Sequence, residues 1–275
     1  MSSVRPAAVA GSFYPDDAQA LRLVVLEYLH EARESLASAP SDRAWPKAII
    51  VPHAGYMYSG VVAARAYAAL EPGAERIERV ILMGPSHHVR FDGLAVSPSS
   101  AFETPLGRAP IDEASRRRVL AFPFVQALDA AHQWEHSLEV QLPFLQIVLR
   151  RFSLLPLAVG RATAAQVRAV LDACWGGDET VIVVSSDLSH YHDYETAKRM
   201  DTATAEAIES LVPEHIEQDG ACGRIGIQAI LEAARQRSLR PRTLDLRSSG
   251  DTAGGREEVV GYGAWAFTAA RNGSP

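Results

Sequence analysis

The stretch Ala48-Ile49-Ile50-Val51-Pro52-His53-Ala54-Gly55-Tyr56 sets the reading of this chain. Its first four residues form an apolar, partly β-branched run too short for a helix, which reads as a buried strand. A residue able to do chemistry follows almost at once. The same order returns twice: Val80-Ile81-Leu82-Met83 runs into Gly84-Pro85-Ser86-His87-His88, and Val181–Val184 runs into Ser185-Ser186-Asp187-Leu188-Ser189-His190-Tyr191-His192. A fourth run of the same kind spans Leu154–Val159.

Helical stretches lie around and between these runs. An opening helix is predicted over Ala18–Ala37, where apolar residues recur at helical spacing and Asp16 or Asp17 suits the N-cap. Others are predicted over Val61–Leu70, Leu138–Arg150, Ala164–Cys174, Lys198–Leu211 and Ile225–Arg237. Strand, loop and helix in alternation predict an α/β fold, with a mostly parallel central sheet and helices on both faces. Glu258–Thr268 reads as a late or edge strand, and the Gly/Ser/Asp stretch between Arg247 and Arg256 as a flexible loop or lid. The Ser38–Pro46 segment reads as a loop, and no interior linker demands a boundary. A single domain over residues 1–275 is therefore expected.

The bulk properties restrict the function. A formal charge of −6 argues against a nucleic-acid footprint, which needs a clustered basic surface. Arg116-Arg117-Arg118 reads as a solvated helix face. No segment has the run of about 18 apolar residues that a membrane span requires, and Met1–Pro6 lacks a signal-peptide core. A cytoplasmic protein binding neither nucleic acid nor membrane is expected. Two cysteines, Cys174 and Cys222, are too few for a disulfide framework.

In open α/β sheets ligands bind beyond the carboxyl ends of the strands. Three strands would thus bring His53, His87 or His88, and Asp187 with His190 into one crevice. Neutral imidazole is both the commonest metal ligand and the group that titrates near neutral pH. Metal binding and acid–base chemistry therefore both stay open. Gly220-Ala221-Cys222-Gly223-Arg224 adds a cysteine just before a helix, where amides and the helix dipole favour thiolate. Cys174 reads as core packing. Glu135-His136-Ser137-Leu138-Glu139 stands at another helix start, and His136 there is a candidate to orient a ligand or bind substrate. His132 is a weaker candidate, while His30 and His215 read as solvent-facing.

Several mechanisms fall away. The chain has no Gly-x-Ser-x-Gly elbow, no Walker-type phosphate loop and no Cys-x-x-Cys. Gly261-Tyr262-Gly263 starts a dinucleotide-like pattern but precedes a strand-like run where a helix is needed.

Five ordered motifs then carry a family resemblance: Pro52-His53-Ala54-Gly55-Tyr56, Gly84-Pro85-Ser86-His87-His88, Glu135-His136-Ser137, Ser185-Ser186-Asp187 with His190, and Cys222-Gly223-Arg224. Together with Ala10-Gly11-Ser12-Phe13-Tyr14 near the start, the chain resembles the Memo family, whose bacterial branch is also called AmmeMemoRadiSam system protein B. The resemblance implies a class III extradiol dioxygenase-like fold. It implies a metal site of His53, His87 and Cys222 holding Fe(II) or Cu, with Asp187 and His190 as catalytic groups in the same pocket. His88, His136, Tyr56 and Ser86 would contact substrate or stand behind the ligands. The family name also implies a radical-SAM protein among the partners, beside an unidentified small-molecule or protein substrate.

A cysteine in place of the carboxylate of ring-cleaving dioxygenases is softer and shifts preference toward Cu(I). Catechol cleavage is thus disfavoured, while other oxygen or redox chemistry stays open. Three readings follow: a metal-dependent oxidoreductase, a non-catalytic binding or scaffold protein keeping the pocket, and metal-assisted hydrolysis.

Overall fold

A computed structural model describes residues 3–37 and 45–269. The predicted Ser38–Pro46 loop falls mostly outside the described residues. The chain opens with β1 (Val4–Arg5), α1 (Ala18–Ala37), β2 (Ala48–Val51), α2 (Tyr56–Ala68) and β3 (Arg79–Pro85). It continues with β4 (Leu94–Val96), β5 (Ala101–Thr104), β6 (Gly107–Pro110), α3 (Glu113–Val119), β7 (Val125–Ala127), α4 (Ala130–Gln133), α5 (His136–Glu139) and α6 (Leu142–Val148). The last third holds β8 (Ser153–Val159), α7 (Ala164–Cys174), β9 (Thr180–Ser185), β10 (His190–His192), α8 (Tyr194–Glu209), α9 (Arg224–Gln236), β11 (Leu239–Ser248) and β12 (Val259–Ala269).

Strands β2, β9, β3 and β8 form the parallel centre of a nine-stranded sheet of order β10-β12-β2-β9-β3-β8-β4-β7, with β11 also on β12. Strands β12 and β4 join its two sides antiparallel, so the sheet is mixed around a parallel core. A separate small sheet is built from β1, β5 and β6. Alternation along the strands divides the apolar residues. Ile49, Val51, Val80, Leu82, Val181 and Val183 pack under α1, α2 and α6. Ala48, Ile50, Ile81, Met83, Ile182 and Val184 pack under α3, α7, α8 and α9. Residues on opposite sides of the pleat thus build two cores, as a strand buried on both faces must. No helix among the described residues is long and apolar enough to cross a membrane.

The structure alters four readings. Glu258–Thr268 is no edge: β12 runs between β2 and both β10 and β11. The predicted helix over Leu138–Arg150 is broken into α5 and α6, because Pro143 lacks the N–H that a continuous helix would need and instead sits in the first turn of α6. The Arg247–Arg256 stretch is tied down. Ser248 and Asp251 cap a short 3-10 turn reciprocally, and the Gly254 amide donates to Ser249 O at 2.7 Å. Arg116 is not simply solvated, because its guanidinium donates to Ser97 O and Ser99 O at 3.0 and 2.8 Å.

Asp112 illustrates how a sequence choice sets an element. It caps α3 by accepting from the amides of Ala114 and Ser115, and it meets Arg79 at 2.7 Å. Burial alone would raise its pKa, but the Ser115 hydroxyl and amide together with Arg79 hold it below the usual carboxylate value. Its stabilisation is therefore present above the unfolded pKa and lost as pH falls through the folded one. Asp112→Ala is expected to cost about 1–2 kcal/mol in urea unfolding at neutral pH. The deficit should shrink on acidification; a deficit independent of pH would remove the charge from the account.

Candidate metal centre

The carboxyl ends of β2, β3 and β9 deliver His53, His87 and Ser185–Asp187 to one crevice, as expected from the repeated strand-to-polar pattern. Two glycines allow the remaining loops to close in. A Cβ on Gly84 would lie 2.7 Å from Ser137 Oγ, and one on Gly223 would lie 2.7 Å from Ser185 O. Glycine at these positions lets the Glu135–Ser137 and Cys222–Gly223 segments pack against the strand ends.

His53, His87 and His136 form one imidazole cluster, with potential ligand atoms all within 4.8 Å of one another. Ring centroids are separated by 5.2 Å for His53–His87, 5.5 Å for His53–His136 and 4.5 Å for His87–His136. His53 is buried, while His87 and His136 are more open.

Hydrogen bonding fixes which nitrogen of the His53 and His87 rings carries the proton. Ser185 Oγ donates its only hydrogen to Ser137 O at 2.6 Å and accepts from Gln141 Nε2 at 2.9 Å. Its 2.9 Å contact with His53 Nδ1 must therefore have the imidazole as donor, which leaves the Nε2 lone pair facing inward. Gln141 is itself oriented by Tyr67, whose hydroxyl donates to Gln141 Oε1 at 2.8 Å, and it donates to Pro52 O. For His87, Nδ1–H donates to Glu135 Oε1 at 2.8 Å, and the His87 amide donates to Glu135 Oε2 at 2.6 Å. Carboxylate and hydroxyl partners on Nδ1, with Nε2 left for the ion, are the usual outer support of metal-bound histidine.

The electrostatics agree. Burial, with the nearby His87, lowers the His53 pKa to about 3, so the ring is neutral at physiological pH. Burial, with His53 and His87, lowers His136 to about 4. Burial alone would raise Glu135, but hydrogen bonds from the His87 ring and from the amides of His87 and Ser137 bring it down to about 2. A buried, charged Glu135 thus stands behind the His87 ring.

Cys222 lies at the same place. Its Sγ is 3.3 Å from His53 Nε2 and accepts from the Asp187 amide at 3.3 Å. Bonds of about 2.0 Å to nitrogen and about 2.3 Å to sulfur at a tetrahedral angle put two ligands of one ion about 3.5 Å apart. The observed pair fits. The expected lowering of the thiol pKa is not found: burial, with Asp187 beside it, pushes Cys222 up to about 12. The short approach to α9 supplies amides, but desolvation outweighs them. The sulfur keeps its proton unless a cation displaces it.

Asp187 is buried and its pKa is raised by burial; Oδ1 accepts from the His53 amide at 2.7 Å and Oδ2 lies 4.0 Å from His53 Nε2. His190, half-buried, donates from Nδ1 to Leu188 O at 2.8 Å, which leaves Nε2 free of that bond. His88 is exposed, with its ring 6.0 Å from that of His136.

Two expected substrate groups are otherwise engaged. The Tyr56 hydroxyl donates to Val140 O at 2.7 Å, and the Ser86 hydroxyl donates to Val89 O at 2.8 Å. Neither hydroxyl has a hydrogen left to donate to a ligand. His132 is buried away from the cluster with Nε2 on Ala95 O, and Cys174 is buried in the core. Sequence reasoning missed Glu135, Ser185 and Gln141 as supports. The adjacency of Glu135 to His136 was the available signal for the first; nothing local marks Gln141.

The sequence profile of a family described as Memo-like protein matches residues 5–266. A protein from Aquifex aeolicus named "MEMO1 family protein" is 36% identical over 271 residues, covering 94% of this chain and 97% of that one. Another of the same name from Ignicoccus hospitalis is 35% identical over 285 residues, covering 96% and 98%. Among solved structures, that of the uncharacterized protein JW3007 from Escherichia coli K12 is similar with a TM-score of 0.53 at 14% identity. It covers 80% of this chain and 99% of its own, a likeness of fold alone.

Proposed function

This chain belongs to the Memo-like protein family, and from that premise we propose that it is a metal-dependent redox protein, an oxidoreductase of the dioxygenase-like kind, with iron or copper held by His53, His87 and Cys222. The observation that carries this reading is the imidazole cluster of His53, His87 and His136, with Cys222 Sγ 3.3 Å from His53 Nε2. His136, expected to contact substrate or to stand behind the ligands, has the geometry of a further ligand. We take residues 1–275 to act as one domain, a reading supported by the two cores built on a single sheet.

When bound, iron or copper would supply one-electron chemistry, and a thiolate ligand would favour the softer Cu(I) state. The chain's own groups do the rest. Ser185 and Glu135 hold His53 and His87 with Nε2 available. Asp187 holds the His53 backbone through Oδ1 and donates its own amide to the sulfur. His190 accepts or returns a proton at Nε2. The substrate is a small molecule or a group on a protein.

The test is metal content of anaerobically purified protein, wild type beside Cys222→Ser and His87→Ala. About one equivalent of iron or copper is expected in the wild type and loss in both variants. No metal after anaerobic reconstitution with Fe(II) or Cu(I) would overturn the assignment. A second reading, a binding protein, draws on Trp134 and Tyr191, which are 60% and 73% exposed beside His136 and His190. A bound ion indifferent to both dioxygen and reductant would transfer the assignment to that role.

A further inference from the structure

At the opposite end of β2 from His53, about 20 Å away at strand rise, a second cleft of about 670 Å³ is lined by Trp45, Lys47, Arg76, Trp175, Thr180 and Arg237. Its size suits a small organic ligand. Cations and indoles interleave here in a chain that is acidic overall. The Arg237 guanidinium lies 4.1 Å from the Trp175 ring centre, Lys47 Nζ lies 5.5 Å from it, and Arg76 lies 5.7 Å from that of Trp45.

The charge balance is incomplete. Lys47 Nζ donates to Gly177 O and Thr180 O at 2.7 and 2.8 Å, both neutral carbonyls. Of the neighbouring carboxylates, Glu179 pairs with Arg79 at 3.3 Å, outside the cleft, and Asp172 with Arg237 at 2.8 Å. Among the described residues no carboxylate forms an ion pair with Lys47 or Arg76. Asp178 lines the rim as the one acidic member. Burial lowers the Lys47 pKa to about 8 even though Glu179 and Asp178 pull it upward, a mark of how much water the ammonium has lost. A partly desolvated cation with no carboxylate in direct contact favours an incoming anion, and arginine and indole surfaces beside it favour a planar aromatic body.

We propose that this cleft binds a small aromatic anion of the nucleoside monophosphate class, its phosphate against Lys47 and Arg76 and its base against the Trp175–Arg237 surface. The site is independent of the metal centre, so neither assignment depends on the other.

The test is calorimetric and fluorescence titration of the full chain with AMP, adenosine and inorganic phosphate. AMP is expected to saturate binding with a change in indole emission, and adenosine or phosphate alone to bind at least about tenfold more weakly. Lys47→Met and Arg76→Gln should each weaken AMP by about tenfold and leave metal content unchanged. Arg76 is exposed, so its variant keeps the test valid if Lys47→Met fails to fold. Absence of AMP binding, phosphate binding as tightly as AMP, or unchanged AMP affinity in Arg76→Gln would overturn the proposal.

Discussion

Arg5→Met is expected to destabilise the folded chain by about 3–5 kcal/mol, the cost of leaving a buried carboxylate without its cation. Arg5 and Glu139 are 2% and 0% exposed at their side chains and form a direct ion pair. Both side chains make further hydrogen bonds. Arg5 donates from Nε to His132 O at 2.8 Å and from Nη2 to Glu135 O at 2.9 Å. Glu139 accepts from the Ala8 and Val9 amides and from the Tyr14 hydroxyl, at 2.7, 3.0 and 2.6 Å. The N-terminal segment is thereby fastened to the short loop and helix that carry Glu135 and His136.

The loss is large against a total folding stability of about 5–15 kcal/mol, and urea unfolding will measure it. Arg5→Lys should recover little, because one ammonium cannot reproduce a planar fork that reaches a carboxylate and three carbonyls together. Glu139→Gln should also destabilise, since its amide nitrogen would face donors that now meet a carboxylate oxygen. A cost below about 1 kcal/mol for Arg5→Met would be typical of a surface pair and would show that the clamp does not hold the loop.

That clamp also explains what sequence could and could not reveal. His53, His87 and Asp187 were legible because each follows an apolar run directly, and strand ends in a parallel sheet converge by construction. Boundaries of α1, β2 and α7 were equally plain, with apolar spacing and helix-start residues in agreement. By contrast, the partners Arg5 and Glu139 are 134 residues apart, and no local pattern announces such a pair. Glu139 reads locally as a charge favoured in a first helical turn. Strand β11 escaped because Arg240, Arg242, Asp245 and Arg247 give it a polar face, and its pairing with β12 supplies order that composition does not. Strand β12 looked peripheral because its last place in sequence says nothing about its central place in the sheet. The Cys222 thiol failed in the other direction: the local helix start pointed to a low pKa, and the surrounding burial, invisible locally, decided against it.

Glu135→Ala is expected to weaken metal binding by about 10–100-fold, although the side chain itself is not a ligand. One carboxylate does three things at once. It receives the His87 Nδ1–H, receives the His87 amide, and caps α5 through the Ser137 amide at 2.9 Å. Removing it frees the His87 ring to rotate and to adopt the other tautomer, and it removes the charge that makes the imidazole a stronger donor. Competition with a chelator of known affinity measures the ion, and a thermal melt of the metal-free protein separates that effect from the lost cap, which is worth about 1 kcal/mol. Glu135→Gln separates geometry from charge, because its oxygen can still accept from His87 while its charge is gone. If the glutamine variant binds metal as tightly as wild type while alanine does not, orientation of His87 carries the effect. If both bind as tightly as wild type, Glu135 serves only the fold, and His87 needs no partner to meet an ion.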